Sequence, residues 1–147
     1  MAPCVFCAIV RDEAPASVVC RRPAAVAFMD IRPWRRGHVL CVPTRHGQRL
    51  GDLPPDDVAA VFALARDVTA AVRAAGLPCD DVNLLVNDGP AAGQTVAHLH
   101  VHVVPRVRGD LWRALAIGPR RLLPPVPRAA LDADATRIAR ALGAQSV

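Results

Sequence analysis

Three histidines alternate with aliphatic residues in the run His98-Leu99-His100-Val101-His102-Val103-Val104. Successive side chains of a strand point to opposite faces, so this spacing predicts three imidazoles on one face and the aliphatic residues on the other. Imidazole is neutral near pH 7 and can then serve as nucleophile, base or metal ligand. A row of three on a buried face is costly without polar partners, so it reads as the lining of a ligand site. Two chemistries compete for it: covalent catalysis by an imidazole, or a catalytic metal held by His98 with His100 or His102. No carboxylate stands close to the row as a further ligand or base, which favours the first.

Five cysteines (Cys4, Cys7, Cys20, Cys41, Cys79) make an odd number. The start, Met1-Ala2-Pro3-Cys4, lacks the basic region and apolar core of a secretory signal, so a cytoplasmic location with reduced thiols is expected. Cys4-x-x-Cys7 then reads either as a pair of metal ligands or as two small buried hydrophobes. The net charge is +5, and every basic residue is arginine. Such a field would draw in an anionic ligand such as a nucleotide. The arginines are scattered in pairs (Arg21-Arg22, Arg35-Arg36, Arg120-Arg121) without aromatic platforms between them, which argues against a nucleic-acid partner. Although 52% of the residues are hydrophobic, no apolar run reaches the roughly 18 residues of a membrane span, and no membrane partner is expected.

The histidine row needs a frame, and 147 residues suffice for one domain with a real core. Ser17–Arg21 and Ala25–Ile31 read as paired strands around Arg22-Pro23-Ala24. Gly37–Pro43 reads as a third, with His38, Leu40 and Val42 facing one way and Val39 and Cys41 the other. A long helix is predicted from Pro54-Pro55, with Asp56 and Asp57 at its positive end and Gly76 and Pro78 ending it. Val58, Val61, Phe62, Ala65, Val68 and Val72 recur at helical spacing as its apolar stripe. Val82–Asn87 and Thr95–Pro105 are two more strands joined by Asp88–Gln94. The proline- and arginine-rich stretch 118–128 reads as a connection, followed by a helix over about 129–142.

The run 98–104 resembles the signature of the histidine-triad (HIT) family, three histidines alternating with aliphatic residues and closed by two more. Phe28-Met29-Asp30-Ile31, Gly37-His38-Val39-Leu40, Pro43 with His46, and Asn87 through Gln94-Thr95 follow in family order, and beyond Trp112 the resemblance fades. The cysteine pair and the 87–95 loop make the chain similar to the Hint-like and bacterial branch. The implied arrangement is one unit, with residues 1–110 as the HIT domain and 111–147 as its C-terminal extension. The implied fold is α+β: a five-stranded, mainly antiparallel sheet with the long helix packed on it and a C-terminal helix, two subunits joining as a homodimer.

The resemblance also implies roles. His100 would attack the α-phosphorus of a nucleotide, its other ring nitrogen held by a backbone carbonyl, and His102 would hydrogen-bond the phosphate. Asn87, Gly93, Gln94 and Thr95 would meet the phosphate and leaving group, with Gly89 and Gly93 giving the backbone room. Asp30 would accept from the ribose hydroxyls. Phe6, Ile9, Phe28 and Ile31 would form an apolar slot for a purine base, with Ala14 where relatives have a bulkier residue; the same four also read as core. Cys4, Cys7, His46 and His98 would form a closed structural zinc site, one per subunit, and His38 would be buried in support of the active face. The implied activity is hydrolysis of nucleoside 5′-phosphoramidates. The alternatives are dinucleoside polyphosphate hydrolysis and a largely non-catalytic nucleotide-binding regulator.

Overall fold

The computed structural model describes residues 4–110 and 124–144. Five strands form one antiparallel sheet: β1 (Val18–Arg21), β2 (Ala25–Met29), β3 (Val39–Pro43), β4 (Asp81–Val86) and β5 (Val101–Arg106), in spatial order β1-β2-β3-β5-β4. Three helices accompany it: α1 (Val5–Val10), α2 (Pro55–Ala74) and α3 (Arg128–Ala144). The α+β class and the five antiparallel strands agree with the sequence reading. β5 is shorter than expected. Residues 95–100 approach it outside the regular ladder, because the chain there serves the loop and the Cys–His cluster described below.

Alternation along the strands divides the interior in two. Val39 and Cys41 of β3, with Val101 and Val103 of β5, face Val61, Leu64, Ala65, Val68 and Val72 of α2. Leu40 and Val42 face the other way and pack with Val26, Phe28 and the α1 residues Phe6 and Ile9. Of the expected α2 stripe Val58 is only half-buried and Phe62 stands out at 39% exposed, while Leu64 and Ala71 take buried positions instead. Pro55 in the first turn and the carboxylates of Asp56 and Asp57 begin α2 as anticipated.

The six-residue α1 was not foreseen. Its sequence, Val-Phe-Cys-Ala-Ile-Val, has the composition of a strand, and packing of Phe6 edge-to-face on Phe28 (centroids 5.3 Å apart) overrides that preference. The stretch read as a connection is described only from residue 124 onward, and 118–123 lie outside the described residues. α3 packs on α2, β1 and β2 through Leu131, Ala135, Ile138 and Leu142. Ion pairing of Arg36 with Asp134, two nitrogens to the carboxylate at 2.7–3.2 Å, and a 2.6 Å hydrogen bond from Ser17 Oγ to Asp132 fix its register.

Ile138 is fully buried between α2 and the sheet, so Ile138→Ala should cost about 2–5 kcal/mol in urea unfolding through lost burial and the cavity left behind. A loss under about 1 kcal/mol would mean that α3 does not share the core.

Candidate active site

A cavity of about 1060 Å³ opens on the α1 side of the sheet. His100 and His102 lie at its floor, with Asn87, Gly93 and Thr95 from the β4–β5 loop, Asp30 after β2, and Phe6, Ile9, Phe28 and Ile31 along its apolar wall. Ten of the eleven residues expected around a nucleotide therefore line one cavity. Gln94 is the correction. Its side chain turns inward: Oε1 accepts from Gly89 N–H at 3.0 Å, while Nε2 donates to the Gln48 carbonyl at 2.8 Å and the His98 carbonyl at 3.4 Å. It braces the loop, and its amide is already engaged. Ala14 packs behind the wall rather than in it, and Pro15 and Ala16 line the cavity at that end. The loop glycines Gly89 and Gly93 have φ of +112° and +89°, so their need is for a backbone conformation that L side chains resist.

The hydrogen bonds assign a tautomer to each imidazole. His100 Nδ1 lies 2.7 Å from the His98 carbonyl oxygen, which can only accept, so Nδ1 carries the proton. Burial pushes the pKa of His100 down, so the neutral ring keeps its lone pair on Nε2. Trp34 N–H donates to His38 Nδ1 at 3.2 Å, which leaves His38 Nε2 as the donor to His102 Nδ1 at 3.0 Å. His102 then bears its proton on Nε2, a buried atom without a hydrogen-bond partner among the described residues. Trp34 stacks on His38 (5.2 Å, 13° between planes) and leans on His102 (5.2 Å, 34°), closing this pair from water. Burial first, and the neighbouring imidazoles second, hold the pKa of His38 well below its ordinary value and push His102 down to about 4.

Asp30 is a buried member of the cavity lining. One oxygen accepts from Arg32 N–H at 2.8 Å, and the other lies 3.8 Å from His38 Nε2.

The second cluster lies beyond His98. Cys4 Sγ and Cys7 Sγ are each 3.5 Å from His98 Nδ1, and Cys7 Sγ is 3.3 Å from His46 Nδ1. The four donor atoms lie within 4.8 Å of one another. Tetrahedral donors about 2.0–2.3 Å from a zinc ion stand about 3.3–3.8 Å apart, so two thiols and two imidazoles at these spacings fit that ion. Cys4-x-x-Cys7 puts both thiols at the start of α1, and the Leu99 N–H to Gly47 carbonyl hydrogen bond (2.7 Å) brings the His46 loop beside His98. His98 Nε2 donates to the Pro43 carbonyl at 3.0 Å, which frees Nδ1 to face the thiols.

Residues 11–109 match the HIT domain family. The chain belongs to the HIT family. It is 45% identical over 108 residues to an uncharacterised HIT-like protein of Mycobacterium tuberculosis, covering 74% of each chain. It is 33% identical over 105 residues to an adenosine 5′-monophosphoramidase of Saccharomyces cerevisiae, covering 71% of this chain and 63% of that one. Among solved structures it superposes on a zinc-bound histidine triad family protein from Mycobacterium smegmatis with a TM-score of 0.82 and 37% identity, covering 97% of this chain and 95% of that one. That superposition takes in α3, beyond the residues that match the family model and the part in which the sequence motifs are legible. Several cavity residues escaped the sequence reading, among them Val5, Pro15, Ala16, Arg32 and Val96; the most informative are Trp34, whose only signal is an aromatic four residues before His38, and Arg128, which carries no signal within its arginine- and proline-rich stretch.

His38 and His102 have pKa values pushed below the ordinary 6.5, that of His102 to about 4, so as pH falls from about 6.5 towards 4 the unfolded chain binds more protons than the folded one. Stability should therefore fall as pH falls through that window, by up to about 1.4 kcal/mol per pH unit for each histidine. Thermal melts from pH 8 to 4 measure this, and His102→Asn, which cannot titrate, should show the shallower slope.

Proposed function

We propose that this protein hydrolyses purine nucleoside 5′-phosphoramidates through a nucleotidyl-His100 intermediate. The observation that supports it most directly is the 2.7 Å hydrogen bond from His100 Nδ1–H to the His98 carbonyl, which leaves the Nε2 lone pair facing the cavity. Nε2 attacks the α-phosphorus, the P–N bond to the amine breaks, and the amine leaves with a proton drawn from water. The hydroxide so formed then attacks the same phosphorus, the phosphorus–imidazole bond breaks with its electron pair returning to Nε2, and the nucleoside monophosphate departs with His100 neutral again. His102 Nε2–H has no protein acceptor among the described residues and would donate to a non-bridging phosphoryl oxygen. Asp30 would take the ribose hydroxyls and the Phe6, Ile9, Phe28 and Ile31 wall the base, while Asn87 and the Gly93–Thr95 turn would meet the phosphate and leaving group. The family membership and the phosphoramidase of S. cerevisiae support the same chemistry.

Cys4, Cys7, His46 and His98 would hold one structural zinc per subunit, tying α1 to the approach of β5. When bound, such an ion supplies fold stability and reduced thiol reactivity, and no proton transfer. We also propose a homodimer in the cytoplasm. Its support is the outer strand β4, whose Leu84 and Leu85 are 45% and 42% exposed, together with the exposed Phe62 on α2.

Substituting His100→Ala should lower turnover of adenosine 5′-phosphoramidate by about a thousandfold or more while AMP binding measured by calorimetry changes only a few fold. Acid-quenched wild-type protein should carry one nucleotidyl group on the peptide bearing His100. A variant retaining a tenth of the activity would remove the covalent route.

Elemental analysis of protein prepared without chelator should find about one zinc per subunit, lost in Cys4→Ser with Cys7→Ser together with a fall in melting temperature. Zinc below about a tenth of an equivalent would refute the assignment.

A further inference from the structure

Arg128 lines the cavity from the first turn of α3, on a segment that carries none of the family's motif residues. Its guanidinium is held from behind. Nη1 lies 3.2 Å from Ser17 Oγ, and Nη2 donates to the Pro15 carbonyl oxygen at 3.4 Å. Ser17 Oγ donates in turn to Asp132 Oδ1 at 2.6 Å, so one turn of α3 clamps both the serine and the arginine. The chain just before α3 is tied to the cavity lining as well, where Val126 N–H donates to the Ile31 carbonyl at 2.9 Å. Pro15 and Ile31 both border the apolar slot. Arg128 is thereby a cation fixed by Ser17 and Pro15 on a cavity whose apolar wall is proposed for the base. Arg32, next to Ile31 in sequence, lines the same cavity, and His100 and His102 rise from β5 and its approach.

The chemistry of that placement is selective. A guanidinium offers five N–H donors in a rigid fork and accepts nothing. Two are spoken for by Ser17 and Pro15; the rest face a cavity whose described lining includes the apolar residues Phe6, Ile9, Phe28 and Ile31, with Asp30 and Arg32 also on it. A purine with an oxygen at position 6 presents that oxygen beside N7, two adjacent acceptors that match the fork. Adenine presents an amino donor at the same place, so donor would meet donor. Resting on the reading that the cavity takes a nucleoside monophosphoryl group, we propose that Arg128 is a specificity-determining residue that selects 6-oxopurine nucleotides, guanosine and inosine, over adenosine.

The fork and not the charge is what discriminates. A charge alone would strengthen every nucleotide equally through its phosphate, whereas base reading distinguishes three ligands with the same phosphate. Inosine isolates the edge, because it shares the 6-oxo group and N7 with guanosine but lacks the 2-amino group. Arg128 is solvent-exposed, so its replacement, which loses only the hydrogen bonds to Ser17 and Pro15, should lower the melting temperature little.

The test is calorimetric binding of GMP, IMP and AMP to the full chain, wild type, Arg128→Met and Arg128→Lys, with kcat/KM for the three 5′-phosphoramidates alongside. Wild type should favour GMP and IMP over AMP by about tenfold in binding and in kcat/KM. Arg128→Met should bring the three within about twofold by weakening GMP and IMP and sparing AMP, and Arg128→Lys should keep most of the charge effect and lose most of the preference. Equal affinities in wild type, a preference for AMP, or a preference that survives Arg128→Met would each overturn the proposal while leaving the nucleotide site standing. A uniform loss across all three nucleotides in Arg128→Met would overturn it in favour of a phosphate contact. Failure of all three to bind wild type would overturn both it and the nucleotide reading on which it rests.

Discussion

His98 joins the two halves of the site through three polar groups of one residue. Its carbonyl accepts from His100 Nδ1, its ring Nε2 donates to the Pro43 carbonyl, and its Nδ1 faces the thiols of Cys4 and Cys7. The ring is fully buried, so each of these groups would be costly if unpaired, and the backbone at residue 98 has little freedom to rotate. The direction of the His98 carbonyl sets the orientation of the His100 ring, and so the aim of its Nε2. The irregular approach to β5 follows from the same constraint, since residues in a regular ladder would spend that carbonyl on a neighbouring strand.

Around this centre the sheet acts as a partition. Odd-numbered residues of β3 and β5 (Val39, Cys41, Val101, Val103) bury against α2, and their even-numbered neighbours carry His38, Leu40 and His102 to the other side. One apolar layer makes the core rigid, and the opposite face of the same strands presents imidazoles at fixed spacing. α3 contributes to both. Its apolar residues complete the layer over α2, while its first turn reaches around the sheet edge to the cavity through Ser17 and Pro15. A helix that looks from its sequence like an appendage to the domain thus holds part of the site's rim.

How much of this was legible depended on the range of the interactions. The period-two pattern of 100–103 and of 39–42 reports a local geometry, and the structure places those side chains on the faces that alternation assigns, whereas 98 and 99 precede the regular strand. The proline, acidic residues and glycine that bound α2 are equally local. Phe62 failed because a helical stripe gives direction only to within a residue or so, and Leu64 lies closer to the centre of the buried face. α1 and Gln94 failed for another reason. The helix exists because Phe6 meets Phe28, 22 positions away in sequence, and the amide of Gln94 turns inward because Gln48 and Gly89 offer it partners. Neither partner is announced by the residue's own neighbourhood. Arg128 is the extreme case, since its place follows entirely from how α3 docks.

The orienting acceptors also bear on what kind of catalyst the imidazole can be. Where a carboxylate holds Nδ1–H of a histidine, it favours the charged ring and makes that histidine a better base. Here the acceptor is an amide carbonyl, which fixes the tautomer without adding charge, and burial pushes the pKa of His100 down. Asp30, the cavity's carboxylate among the described residues, accepts from Arg32 N–H and approaches His38 rather than His100. A ring kept neutral, with its lone pair exposed and no anion behind it, is arranged to attack an electrophile directly rather than to remove a proton from another group. The same logic applies one step along: His38 is itself fixed by Trp34 N–H, and it delivers a donor, not a charge, to His102. The site therefore presents a lone pair at His100 and an N–H at His102 side by side, ring centroids 4.8 Å apart, as an electrophilic phosphorus flanked by anionic oxygens requires.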